Sequence, residues 1–161
     1  MTTSIIIPAR YGSSRYRGKP LVKILGREMV LRVADICKKI KNVKVFIATD
    51  SKKIANVAKK NGYDYIFTSS ACLTGTDRVA EASKKIRSKI YINVQGDEPT
   101  IDPSDIMKVI NAKKKFPHHV ICGYDKVHDF EKAESPNLPK VVVNSKGELI
   151  YISRALVPGS K

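Results

Sequence analysis

Four cations, Arg10, Arg15, Arg17 and Lys19, fall within one short segment and alternate with Gly12, Ser13, Ser14 and Gly18. Glycine and serine leave backbone N–H groups accessible and the cations add fixed positive charge, so this segment can cradle a polyphosphate. It is not the common phosphate loop. Five residues separate Gly12 from Gly18-Lys19 where that pattern needs four, and Pro20 stands where a magnesium-binding Ser or Thr belongs. The chain also lacks G-x-G-x-x-G, which disfavours an ordinary dinucleotide site. No Ser-His-Asp or Cys-His pattern offers a covalent nucleophile. His118, His119 and His128 lack the helical i, i+4 spacing of metal ligands, and Cys37, Cys72 and Cys122 form no C-x-x-C pair. What remains is the chemistry of positioning and charge neutralisation, with Asp97 and Glu98 as the carboxylates best placed on a Gly-bearing turn.

The elements that must hold these residues are legible from periodicity. Ile5-Ile6-Ile7 is a β-branched apolar run suited to a buried parallel strand, and Pro8, which has no N–H for a ladder, is expected to open it into the cationic loop. Met29, Val30, Val33, Ala34, Cys37 and Ile40 recur at helical steps. Val45 to Ala48 is a second strand, and Thr49-Asp50-Ser51 reads as the cap of a helix that Asn61-Gly62 ends. Tyr63 to Phe67 is a third strand. A helix from near Thr76 is expected to turn Val79, Ala80, Ser83 and Ile86 inward, with Asp77 and Arg78 in its first turn facing the loops. Ile90 to Val94 is a fourth strand, followed by Gln95 to Pro99. Asp102-Pro103-Ser104-Asp105 starts a helix that runs to about Lys115. Val120-Ile121-Cys122 is read as the start of a fifth strand, Asp129 to Glu134 as a helical turn, and Lys140 to Asn144 with Glu148 to Ser153 as a hairpin. Strands alternating with helices imply an α/β fold, doubly wound around a mostly parallel, Rossmann-like sheet with a late antiparallel hairpin. In such sheets the loops at the carboxyl ends of the strands converge on one crevice, which here would gather Arg10 to Lys19, Thr49-Asp50 and Gln95 to Glu98.

Pro8-Ala9-Arg10-Tyr11, with Ser13, Arg15 and Gly18-Lys19-Pro20-Leu21, resembles the signature loop of the sugar-acid cytidylyltransferases, in particular their 3-deoxy-manno-octulosonate branch. The resemblance continues through Ala48-Thr49-Asp50, Gly75-Thr76-Asp77-Arg78, Asn93 to Pro99 and Ser153-Arg154-Ala155. It implies transfer of CMP from CTP to a sugar acid with release of pyrophosphate, in the synthesis of a lipopolysaccharide or capsule precursor. Arg10, Arg15 and Lys19 become candidates for the triphosphate and the departing pyrophosphate, and Pro8, Ala9, Ser13 and Thr76 for further nucleotide contacts. Arg78 matches the position that reads the cytosine base. Gln95 and Arg154 match positions that hold the sugar acid, and an Arg fork suits its carboxylate. Asp97 is the expected Mg2+ ligand, because Mg2+ takes one or two protein carboxylates and draws its other ligands from substrate and water. Arg17 departs from the family, where a proline usually precedes the glycine.

At 161 residues and 42% hydrophobic content, the chain is expected to form one nucleotidyltransferase domain over residues 1–161. No run approaches the ~18 apolar residues of a membrane span, and Met1 to Ser4 leads into a strand without a leader pattern, so a cytoplasmic protein without membrane insertion is expected. The net charge of +15 raises a nucleic-acid reading. Lys38-Lys39-Lys41, Lys59-Lys60, Lys84-Lys85 and Lys113 to Lys115 instead fall at predicted helix ends, where cations complement the helix dipole. No aromatics interleave with them, so a specific nucleic-acid partner is not expected.

Members of the resembled family continue beyond the span matched here. That part contributes a second metal-binding Asp, further sugar-acid contacts and much of a homodimer interface. Alternatives to the active transferase are therefore a CTP-binding domain of poor activity, a sialic-acid-type cytidylyltransferase and a polyanion-binding protein on the same fold.

Overall fold

The computed structural model describes residues 2–12, 16–128 and 132–159. The chain forms two compact units, Met1–Ile121 and Cys122–Lys161. In the first, β1 (Thr3–Ala9) leads through the cationic loop and a short 3-10 turn (Lys19–Leu21) to a small hairpin, β2 (Lys23–Ile24) and β3 (Arg27–Glu28). Then follow α1 (Met29–Lys38), β4 (Val43–Thr49), α2 (Lys52–Lys60), β5 (Asp64–Phe67), α3 (Gly75–Ser83), β6 (Ile90–Asn93) and α4 (Pro103–Lys115). The second unit holds β7 (Lys140–Val143) and β8 (Leu149–Ser153).

The main sheet has the order β5-β4-β1-β6 with every pair parallel, as the alternation of strands and helices implied. β1 is buried at all seven positions because helices cover both faces of the sheet. Its alternation divides the core. Ile5 and Ile7 pack with Val30, Val33 and Cys37 of α1, Ile54 of α2 and Ile106 and Ile110 of α4, whereas Ile6 joins Ala48, Ile66 and Ala82 of α3 on the opposite side. Cys37 is wholly buried, which pushes its thiol up to about 12 and leaves it an inert core residue.

Pro8 does not end β1. The strand runs on to Ala9, with Pro8 in register opposite Ala48 of β4. The Val94 amide donates to the Ile6 carbonyl, so Ile6, and by alternation Pro8, turn their backbone polar groups toward β6. Pairing with β6 stops at Ile6 and Asn93, and the missing N–H falls just past the last ladder bond. Here the two chains come very close: a Cβ built on Gly96 would stand 2.7 Å from the Pro8 carbonyl oxygen.

Other segments depart from the sequence reading for identifiable reasons. Val120 to Cys122 forms no strand; Val120 is 91% exposed and the segment runs into the boundary between the units. Residues 129–131 of the expected helical turn lie outside the described residues. Of the residues expected inward here, Val79 and Ile86 pack against the core beside Ala82, whereas Ala80 is exposed and Arg78 is buried in its place. Ser51 occupies the N-cap position of α2 without a side-chain cap bond, while Thr49 Oγ1 accepts from its amide at 3.1 Å. Asp102, in contrast, caps α4 as expected, accepting from the Ser104 amide at 2.7 Å ahead of Pro103. In the second unit, the hairpin pairs Lys140 with Ser153 and Val142 with Tyr151. Buried Lys140 donates there to the carbonyls of Ser135 and Arg154.

A polar knot ties α1 to the end of α2. Arg27 donates twice to Asp35, at 2.8 Å each, and once to Asn61, and the Tyr63 hydroxyl also donates to Asp35. The Arg27 bonds hold the Asp35 carboxyl below its usual range against the opposing effect of burial. A depressed carboxylate contributes stability above its unfolded pKa, about 4, and loses it as pH falls through the folded value. Asp35→Asn is therefore expected to lower stability at neutral pH and to flatten the acid limb, so that its urea midpoints converge with those of the parent once the pH has fallen through the depressed folded value. Parallel curves across the whole range would be the contrary result. Gly96→Ala is expected to cost about 1–3 kcal/mol in the same assay, because backbone must move to admit the methyl group. Gly12→Ala, with nothing within 4 Å of the added carbon, is expected to stay within about 0.5 kcal/mol of the parent.

Candidate active site

The crevice forms where β1, β4, β5 and β6 release their chains. At the end of β1 the strand opens into the cationic loop, and that loop is closed on itself by the Gly18 amide, which donates to the Tyr11 carbonyl at 2.8 Å. Gly18 sits at φ +77° with the Tyr11 ring 3.2 Å from where a Cβ would lie, so this closure requires glycine. The Arg17 guanidinium lies 5.7 Å and the Lys53 ammonium 4.9 Å from the centroid of the same ring. Ser13 and Arg15, both expected in the nucleotide site, lie outside the described residues.

Three contacts join this loop to the other strand ends. Lys19 Nζ stands 2.6 Å from Asp97 Oδ2, with the two side chains 46% and 49% exposed, which brings the cationic loop to the turn after β6. Arg10 Nη1 donates to the Leu73 carbonyl at 3.4 Å, reaching the loop between β5 and α3. Finally, a Cβ on Gly75 would lie 3.3 Å from Pro8 Cγ and 3.2 Å from Gln95 Oε1, so the first turn of α3 rests against the ends of both β1 and β6. Pro8, Arg10, Lys19, Gln95 and Asp97 are thus assembled as the spacing implied, with Ala9 buried at the strand end and Thr76 exposed in the first turn of α3. Arg154 belongs to the second unit, where Nη1 donates to the Pro136 carbonyl at 2.9 Å.

The first turn of α3 is built by a capping box. Thr74 Oγ1 accepts from the Asp77 amide, and the Asp77 carboxylate accepts from the Thr74 amide and hydroxyl, which holds that carboxyl below its usual range. Asp77 is therefore a helix cap. The loop before it is clamped by Glu81, whose carboxylate accepts from the Ser69 amide, the Lys85 ammonium and the Cys72 thiol. Those donors, the Ser69 amide foremost, hold Glu81 down to about 2.

Arg78 is where the arrangement departs most from expectation. Its side chain is only 2% exposed. Nη2 stands 2.9 Å from Asp50 Oδ2, and Nη1 donates to Thr68 Oγ1 and to the Ser69 carbonyl at 3.4 Å. The guanidinium is thus occupied by the loops that leave β4 and β5. Sequence reading took Thr49-Asp50-Ser51 as a helix cap, placed Thr49-Asp50 among the loops of the crevice, and gave Thr68 and Glu81 no role. For Asp50 the signal was the Ala48-Thr49-Asp50 block at a strand end.

The donors for a cation are few. Asp97 and Glu98 are adjacent carboxylates, and burial, then the neighbouring Asp97 charge, raises Glu98 above its usual range. Among the described residues no cluster of three or more His, Cys, Asp or Glu side chains could cage an ion. This donor set fits a hard cation that takes one protein carboxylate and draws its remaining oxygens from a bound polyphosphate and water. A separate groove of about 520 Å³ lies along α4, between Lys41 and Met107, at the amino-terminal ends of β1 and β4 and so away from the crevice. No helix among the described residues is long and apolar enough to cross a membrane.

Comparison with known proteins supplies the family. A family model described as "Cytidylyltransferase" matches residues 4–161. The mitochondrial 3-deoxy-manno-octulosonate cytidylyltransferase of Arabidopsis thaliana is 41% identical over 159 residues, covering 97% of this chain and 55% of that protein. The enzyme of the same name from Haemophilus influenzae strain PittEE is 37% identical over 161 residues, covering 98% of this chain and 63% of its own length. Among solved structures, CMP:2-keto-3-deoxy-manno-octonic acid synthetase complexed with CTP superposes with a TM-score of 0.86 at 35% identity, covering 99% of this chain and 66% of the other. The chain thus spans somewhat more than half of the length of these relatives. On the match of the family model to nearly every residue, the chain belongs to the cytidylyltransferase family.

Proposed function

We propose that this chain carries the nucleotide site of an enzyme that transfers CMP from CTP to 3-deoxy-manno-octulosonate. A hydroxyl oxygen of the sugar acid forms a bond to the α-phosphorus of CTP and gives up its proton to water, the bond from that phosphorus to the bridging oxygen of the β-phosphate breaks, and pyrophosphate leaves with the electron pair. The observation that carries the reading is the Lys19–Asp97 pair, which sets a cation and a carboxylate side by side at the mouth of a glycine-bearing turn. The names of the relatives at 37% and 41% identity, and the CTP in the similar solved complex, support the choice of nucleotide and sugar acid.

Without nucleotide, Lys19 and Asp97 neutralise each other. With a triphosphate in the crevice, the same two groups separate their roles: Lys19 and Arg10 face phosphate oxygens, and Asp97 is released to a divalent cation. Mg2+ is the proposed ion; when bound it neutralises phosphate charge and fixes the geometry of the leaving group. Arg15 and Ser13 join this loop in the proposal on the strength of their spacing. Gln95, beside Gly75 and Pro8, is proposed to face the sugar acid. The backbone of Pro8, Ala9 and Arg10 together with Thr76 borders a pocket for a small base. Nothing here calls for a covalent nucleophile, and catalysis rests on orientation and charge stabilisation.

CTP is expected to stabilise the chain more than ATP or GTP does. At a concentration one hundred times Kd the gain is about 2.7 kcal/mol, readily resolved by thermal unfolding. Equal shifts with all three nucleotides would overturn the base preference. Lys19→Ala is expected to weaken CTP binding by about 10- to 100-fold in calorimetric titration, the equivalent of one lost charge-assisted hydrogen bond. Asp97→Asn is expected to leave metal-free binding intact and to abolish the gain that Mg2+ brings. Pyrophosphate release with CTP, Mg2+ and 3-deoxy-manno-octulosonate tests the reaction itself, and a protein carrying the complete site that released none would refute it.

A further inference from the structure

We infer that Arg78 acts as a positioning residue held by Asp50 and Thr68, a role that rests on the nucleotide site proposed above but not on any contact of Arg78 with the base. The guanidinium is 2% exposed and each of its terminal nitrogens is engaged: Nη2 with Asp50, Nη1 with Thr68 and the Ser69 carbonyl. Asp50 follows β4 and Thr68 follows β5, and the Thr68 amide donates to the Thr49 carbonyl at 2.9 Å, so these partners form one rigid corner of the sheet. From α3, Arg78 reaches into that corner and fixes where the helix begins. One turn back along the helix, Gly75 lies against Pro8 and Gln95. The ion pair therefore sets the wall of the crevice formed by Gly75 and Thr76 without presenting an edge of its own to a ligand.

A group that acts this way has effects that differ from those of a base-reading residue. Loosening the first turn of α3 moves a wall of the base pocket proposed above, which cytosine and uracil would share, so it weakens CTP and UTP by a similar factor. Removing a guanidinium donor from cytosine N3, an atom that in uracil carries a proton and accepts nothing, weakens CTP alone. Burial adds a second signature, because an arginine left without its carboxylate is worse than no arginine at all.

Asp50→Asn keeps the size of the side chain and one acceptor, which protects the fold. Amide hydrogen exchange on the ligand-free variant is expected to quicken at least tenfold at Ser69 and Arg78, with β1 and α1 unchanged. Unchanged protection at these amides would overturn the inference. In calorimetric titrations the variant is expected to lose about tenfold affinity for CTP and for UTP, leaving their ratio as in the parent. A fall in CTP affinity alone would overturn the inference and return Arg78 to reading the base. The double variant Asp50→Leu, Arg78→Met is expected to recover affinity relative to Asp50→Leu, and an equal or greater loss would again overturn the inference. Should the parent bind neither nucleotide, the proposed nucleotide site fails, and the exchange measurement alone decides the role of Arg78.

Discussion

A guanidinium removed from water must find acceptors inside the protein, and this requirement shapes the carboxyl end of the sheet. Arg78 finds them on two different strands' loops, which makes one side chain the joint between β4, β5 and α3. Breaking a buried pair by deleting one member typically costs about 3–5 kcal/mol, whereas replacing both by apolar groups is often neutral. Such a pair is therefore weak as a source of net stability and strong as a constraint on geometry. The helix cannot slide or rotate without stranding a charge.

The cationic loop obeys a different logic, because its charges stay in water. Arg10 is exposed and Lys19 and Asp97 are about half-exposed, so their mutual contacts are individually weak and exchange readily for a more highly charged partner. The site thus combines a fixed frame with an exchangeable set of charges. The frame comes from close backbone approach and a buried ion pair. The exchangeable set comes from residues with long side chains and solvent on one side.

Much of this was legible beforehand, and the reasons for what was not are physical. The apolar run of Ile5 to Ile7, the helical stripe ending at Cys37 and Ile40, and the Asp102-Pro103 start of α4 were all readable because burial period and cap chemistry act locally. So was the convergence of Arg10, Lys19, Gln95 and Asp97, since a parallel sheet sends those loops to one end. The burial of Arg78 was not, because an arginine in the first turn of a helix reads as solvated until its partners are known, and Asp50 is 28 residues away. Asp50 was placed at the crevice and read as part of a local cap, but its pairing with Arg78 was not foreseen for the same reason. The Leu25-Gly26 turn, with both residues at positive φ, carried only half a signal, because leucine gives no hint of that conformation. Val120 to Cys122 had the composition of a strand, but composition does not supply a neighbouring edge.

Pro8 carries one more implication. Because it offers no N–H on the side facing β6, that strand gains nothing by pairing further, and the chain is free to turn at Gln95 and Gly96. A difference in length between two adjacent strands is a step in the floor of the molecule. The height of that step is the three residues by which β1 outruns its last pair with β6, Ile7 to Ala9, or roughly 10 Å at the usual strand rise. An amino acid usually described as a strand breaker here sets the height of a step, and Gly96 is the residue small enough to pass beside the Pro8 carbonyl oxygen where the chain turns.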